Sequence, residues 1–94
     1  MNREEFKASA KKSIDDIFQK IDQLEAKKDH AQEELKVKYE ERISELKKKK
    51  DEVLERYNDL SHAAEDKWEE TKHAFSSASD SFKEGFQKIW SLFD

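Results

Sequence analysis

Apolar side chains recur along this chain at alternating steps of three and four residues, from Ile14 almost to the C-terminus. Ile14, Ile17, Ile21 and Leu24 begin the series, which passes through Lys28 and Ala31 to Leu35 and continues as Tyr39, Ile43 and Leu46. Beyond Lys50 it resumes as Val53, Tyr57, Leu60, Ala64, Trp68, Thr71, Phe75, Ala78, Phe82, Phe86, Ile89 and Phe93. A helix turns once in 3.6 residues, so this spacing holds one narrow face apolar, whereas a strand would need alternation at every second position. The chain is thereby confined to amphipathic helices whose seams must be covered, as in a coiled coil or a helical bundle. Where steps of four adjoin, at Ala31 to Ile43, Leu60 to Trp68 and Ala78 to Phe86, the seam shifts as a stutter does and locally unwinds a left-handed supercoil.

The rest of the composition agrees with helix. There is no proline and one glycine, and 45% of the residues are charged against 34% hydrophobic, the balance of a long helix or coiled coil. Acids stand four residues before bases at Asp16 and Lys20, Glu34 and Lys38, Glu45 and Lys49, Glu52 and Arg56, and Glu84 and Lys88. Each such pair adds roughly 0.2–0.5 kcal/mol to a helix. That is too little to hold an isolated helix, so packing of the seam must supply the stability. At 94 residues the chain is expected to form one domain, 1–94, and to gain from self-association, because a unit this small buries only about 60–65% of its unfolded surface.

Helix ends are harder to place. Asn2 with Glu5 is spaced as a capping pair for a start near residue 3. Asn58, Asp59 and Ser61 form one mid-chain group of cap and turn residues, and Ser76, Ser77, Ser79 and Ser81 form another, with Ser81 and Glu84 spaced as a capping box. The expected architecture is all-α: a long amphipathic helix from near the N-terminus to about Tyr57, a break near 58–62, and a shorter helix to about Phe93. These form a helical hairpin or coiled coil that assembles as a helical bundle; without the break the chain would instead run as one helix of about 135 Å.

The segment from Phe82 to Phe93 holds four of the ten aromatic residues. On a helical wheel Phe82, Phe86, Ile89 and Phe93 fall within about 40° of Phe75, and Trp90 within about 60°. Burying each is worth roughly 1.5–3 kcal/mol, more than any surface ion pair, so this stripe is expected to face another helix. The expected interface comprises Ile14, Ile17, Ile21, Leu24, Leu35, Ile43 and Leu46 in the first half, with Leu54 or its neighbour Val53. Trp68, Phe75, Phe82, Phe86, Ile89, Trp90 and Phe93 complete it in the second half. The expected partner is a second copy or another helical protein, and replacing Phe82 and Phe86 together by Ser is expected to dissociate the assembly.

A lipid surface is the alternative partner. Trp90 and Phe93 suit a headgroup boundary, but from Trp68 to Asp94 three lysines stand against Glu69, Glu70, Asp80, Glu84 and Asp94, so anionic lipid would repel the segment. Nucleic acid is excluded by the same bookkeeping: the chain is at −4, and the basic run Lys47 to Lys50 is flanked by Glu45, Asp51 and Glu52, where phosphate binding needs net positive surface.

Chemistry is not expected. Glu70 and His73 have the E-x-x-H spacing of di-iron bundles, yet both lie roughly 140–160° from Phe75 on the wheel and should face water. His62, Asp66, Glu69 and His73 follow at i, i+4, i+7 and i+11, enough for weak surface chelation and no more. No serine has an acid/base partner in a pocket, and there is no glycine-rich phosphate loop. The expectation is a non-enzyme with no cofactor, no metal and no small-molecule substrate. It should also lack an apolar leader or membrane span and, having no cysteine, be suited to the cytoplasm.

The run IDQLEAKKDHAQEELKVKYEERISELKKKKDEVLERYNDL, followed by AAEDKWEETKHAF, resembles small bacterial coiled-coil proteins of about this length, some described as stress-response proteins of unknown activity. Ile21, Asp22 and Leu24, then Tyr39, Ile43 and Leu46, then Ala64 to Trp68 with Lys72 carry the likeness. It departs from that family at Lys67, where a small residue is usual before the tryptophan, and at HAFSSAS, where a glycine and a second tryptophan are usual. The resemblance implies a cytosolic, stress-linked helical protein without catalytic residues.

Overall fold

The computed structural model describes residues 2–93, apart from the side chain of Phe93. Three α-helices follow one another: α1, Arg3–Asp29; α2, Glu33–His62; and α3, Trp68–Phe93, the last preceded by a single 3-10 turn at Glu65–Lys67. They run up, down and up in a rod of 50 × 18 × 17 Å. The all-α bundle expected from the seam is what the chain forms.

The start of α1 follows the capping pair. Asn2 Oδ1 accepts from the Glu5 N–H at 2.8 Å and its Nδ2 donates to Glu5 Oε1 at 3.2 Å, so two polar groups at a helix start satisfy each other.

The number of helices departs from expectation. The stretch read as one helix to about Tyr57 is divided at His30–Gln32, where the Ala31 to Ile43 stutter begins. Lys27 and Lys28 occupy the last turn of α1, and Glu33 and Glu34 the first turn of α2. Each end therefore carries the charge its helix dipole favours. The His30 and Ala31 N–H groups close α1 on the carbonyls of Lys27 and Lys28, at 3.2 and 3.0 Å, and Gln32 enters α2 from extended backbone with no side-chain cap. With neither glycine, proline nor an N-cap Ser, Thr, Asp or Asn here, the usual stop signals are missing.

The second break falls slightly later than 58–62, at 63–67, where Ala63 and Ala64 are extended. The serine cluster does not break α3. Ser79 is 4% exposed, and small side chains at Ser9, Ala10, Ser13 and Ser76 lie beside it between α1 and α3.

The core combines one face of each helix. Ala10, Ile14, Ile17, Ile21 and Leu24 meet Tyr39, Ile43, Leu46, Val53 and Leu60, and both sets pack on Phe75, Ala78, Phe82, Phe86 and Ile89. Phe82, Leu24 and Leu60 are fully buried. At the end holding the N-terminus, Phe6 meets Trp68 and Phe75 edge-on at 5.8 and 6.2 Å between ring centroids, and Tyr57 meets Phe75 at 6.3 Å. Lys50, a lysine at a seam position, swings its ammonium out over the Phe18 ring and to Asp51 at 3.3 Å, keeping its charge wet while its stem covers apolar surface.

Candidate interaction surface

The sequence-derived interface residues lie mainly within the chain's own bundle. Ile14, Ile17, Ile21, Leu24, Ile43, Leu46, Phe75, Phe82, Phe86 and Ile89 are buried in its core, with Val53; Leu54, Trp68 and Trp90 are half-buried against it. Leu35 is exposed, and the Phe93 side chain lies outside the described residues. The seam is thus covered by intramolecular packing, because the turn at His30–Gln32 lets α1 fold onto the α2–α3 hairpin.

Most of the large apolar side chains left on the surface belong to one end of the rod. Of the large apolar side chains exposed among the described residues, Leu35, Val37 and Leu92 are 38, 58 and 65% exposed, and all belong to the end where α1 turns into α2 and α3 finishes. Phe18, at 42%, lies midway along α1. Trp90 stacks on Phe86 at 5.5 Å, and the Lys27 ammonium sits 3.8 Å from its ring centroid. Gln23, Ala26, His30, Leu35, Tyr39 and Trp90 line a shallow open depression there.

A second groove runs between α2 and α3. Leu46, Ile89 and Leu92 give it an apolar floor, with Arg42, Lys49 and Lys88 along the edges. Arg42 contacts Glu45 at 3.5 Å, and the Lys49 ammonium reaches the Ser81 carbonyl at 3.5 Å. Gly85 lets the two helices approach: a Cβ there would stand 3.1 Å from Leu46 Cδ2.

Charge elsewhere is organised as surface pairs. Lys47 reaches from α2 to Glu25 on α1 at 2.9 Å, and this hydrogen-bonded ammonium holds the Glu25 carboxyl below the usual glutamate range against an opposing desolvation, with a lesser contribution from the field of Lys28. Lys20 and Asp16 pair at 2.7 Å as their spacing predicts, whereas Arg56 reaches Asp59, three residues on.

The chelation alignment does not survive the fold. His62 ends α2 and Asp66 belongs to the 3-10 turn, so the break destroys the continuous helical face that would have aligned them with Glu69 and His73. Glu70 and His73 are exposed. Among the described residues no three His, Asp or Glu side chains converge as a metal site, and no helix is long and apolar enough to cross a membrane.

Sequence reading missed Phe6 and Ala10, although steps of four from Phe6 through Ala10 to Ile14 would have extended the seam to the first turn. It also passed over Val37 and Leu92, whose signal is the reverse: apolar residues off the seam. No family model, curated protein or solved structure matches the chain.

Proposed function

We propose that the protein is a non-enzymatic helical interaction module, which docks another helical protein or a second copy of itself through the turn end of its bundle. The observation that carries this reading is that Leu35, Val37 and Leu92, three exposed large apolar side chains, all belong to that one end, where Leu35 shares a depression with half-buried Trp90. The remaining surface is dense in charge of both signs. Apolar side chains left outside a core contribute nothing to folding, and grouped ones rimmed by polar residues suit a contact surface. Helical partners fit because such patches accept apolar anchors presented at helical spacing.

A photo-crosslinking residue placed at Val37 or Leu92, and at Glu52 as a control, tests the proposal in living cells. Adducts specific to positions 37 and 92, lost on adding the Leu35→Ser and Trp90→Ala changes, are the expected result. Equal labelling from position 52 would sink it.

Lipid remains the competing partner, and the folded bundle narrows what it could meet. Phe75, Phe82, Phe86 and Ile89 are buried, leaving Trp90 and Leu92 of α3, with Leu35 and Val37 of α2, for a vesicle to contact. Flotation of the folded chain with neutral lipid, unaltered in helicity, would favour that alternative.

A further inference from the structure

The connection between α2 and α3 contains nothing that forbids helix. Residues 63–67 read Ala-Ala-Glu-Asp-Lys, and alanine is the strongest helix former. The extended residues are Ala63, at φ −68° and ψ 134°, and Ala64, at φ −70° and ψ 159°. Both φ values already suit an α-helix, so rotating two ψ angles would join α2 to α3. The seam also continues across the join, since Leu60, Ala64 and Trp68 are spaced by fours.

Arg3 bridges the bend. The Arg3 guanidinium donates to the Ala63 carbonyl and lies 4.7 Å from the Trp68 ring centroid. In a continuous helix that carbonyl would accept from the Lys67 N–H, which in the bent form bonds to Ala64 O at 3.0 Å. Arg3 therefore occupies the acceptor that straightening requires.

We infer that a second copy of this chain is the partner that fits the faces opened by this hinge, the two copies exchanging α3. A straightened monomer would strip Phe75, Phe82, Phe86 and Ile89 from their core, which a single chain cannot sustain. Two straightened chains restore each of those contacts, because α3 of one lies antiparallel on α2 of the other just as it does within the closed bundle. The exchange also adds the helical hydrogen bonds missing at 63–67. Each long helix, from Glu33 to Phe93, spans about 90 Å, against 50 Å for the closed rod. The inference makes no use of the exposed turn end and stands apart from the function proposed above.

The test refolds the full chain from denaturant at low and at high protein concentration, then measures mass by light scattering and maximum dimension by X-ray scattering. The wild-type chain is expected to give a dimer whose share rises with refolding concentration, persists on dilution and measures roughly 90–100 Å. Arg3→Ala should raise that share several-fold. Ala64→Pro should refold as monomer alone, since the φ of Ala64 suits proline and the ψ of Ala63 suits the residue before it. The double variant A63G/A64G, which weakens helix without removing a donor, must lower the dimer share in the same direction. Monomer at every concentration for both wild type and Arg3→Ala overturns the inference, as does a dimer that survives Ala64→Pro or one no longer than two rods side by side. Loss of dimer on changing Leu35 and Leu92, with Ala64→Pro without effect, also overturns it and assigns the dimer to the turn end.

Discussion

Gly85 shows how one residue sets the approach of two helices. Glycine inside a helix costs roughly 0.5–1 kcal/mol relative to alanine, yet an added Cβ would meet Leu46 Cδ2 at 3.1 Å and Lys49 Nζ at 3.4 Å. Lys49 Nζ is the end of a flexible side chain, and buried Leu46 needs to give only a few tenths of an ångström beside the groove it lines. Gly85→Ala should raise stability by about 0.5 kcal/mol, and Gly85→Leu should lower it by about 1–3 kcal/mol through overpacking; urea unfolding of both variants gives the sign. Glu25 makes a different kind of contribution. Its folded pKa is lowered, chiefly by the hydrogen bond from Lys47. The associated stability is full above the ordinary glutamate pKa of about 4.3 and is lost as pH falls through the lowered folded value. Because the pair is more than a third exposed, Glu25→Gln should cost under about 1 kcal/mol at neutral pH. Melting curves of the two proteins should converge in strong acid. At the residue scale most of the core was legible, because spacing by threes and fours identifies the inward face whatever covers it. Val37 and Leu92 were not, since a periodic reading discards apolar residues that break its phase.

Among the elements, α3 depends most on burial. Phe82 is fully buried, and Phe82→Ala should cost about 3–5 kcal/mol, a large part of the roughly 5–15 kcal/mol that stabilises a domain. Replacing Phe82 and Phe86 together by Ser should therefore unfold the bundle, seen as lost helicity, rather than merely separate folded subunits. The bend before α3 responds in the opposite sense. Ala64→Pro restricts the unfolded chain while fitting the native backbone, and should add about 0.4–1 kcal/mol, read as a rise in melting temperature. Why a break before α3 was expected, a few residues early, and the first turn missed is a matter of signal. Asn58, Asp59 and Ser61 announce a helix end in their own chemistry, whereas Lys27, Lys28, Glu33 and Glu34 announce one only through the order of their charges, which within a continuous helix would look like ordinary surface.

As a whole molecule, the protein is a seam closed on itself. A strand of apolar positions long enough for a coiled coil of separate chains is instead folded twice, so that α1, α2 and α3 cover one another and leave mainly charge outside. The core needs all three faces: α1 and α2 contribute Ile17, Leu24, Leu46 and Leu60, but these close around Phe75, Phe82 and Phe86 from α3. Without α3, the fragment 1–62 would expose that apolar surface along one side of its hairpin, and a two-helix unit buries too little to be stable alone. The fragment is therefore expected to melt without a cooperative transition. Adding a peptide covering residues 65–94 should restore one, with a midpoint that rises with peptide concentration, because binding to the folded state alone shifts the equilibrium by mass action. Circular dichroism of the mixture measures it directly, and a fragment that melts cooperatively without the peptide would show that α3 is an accessory to the core rather than a third of it.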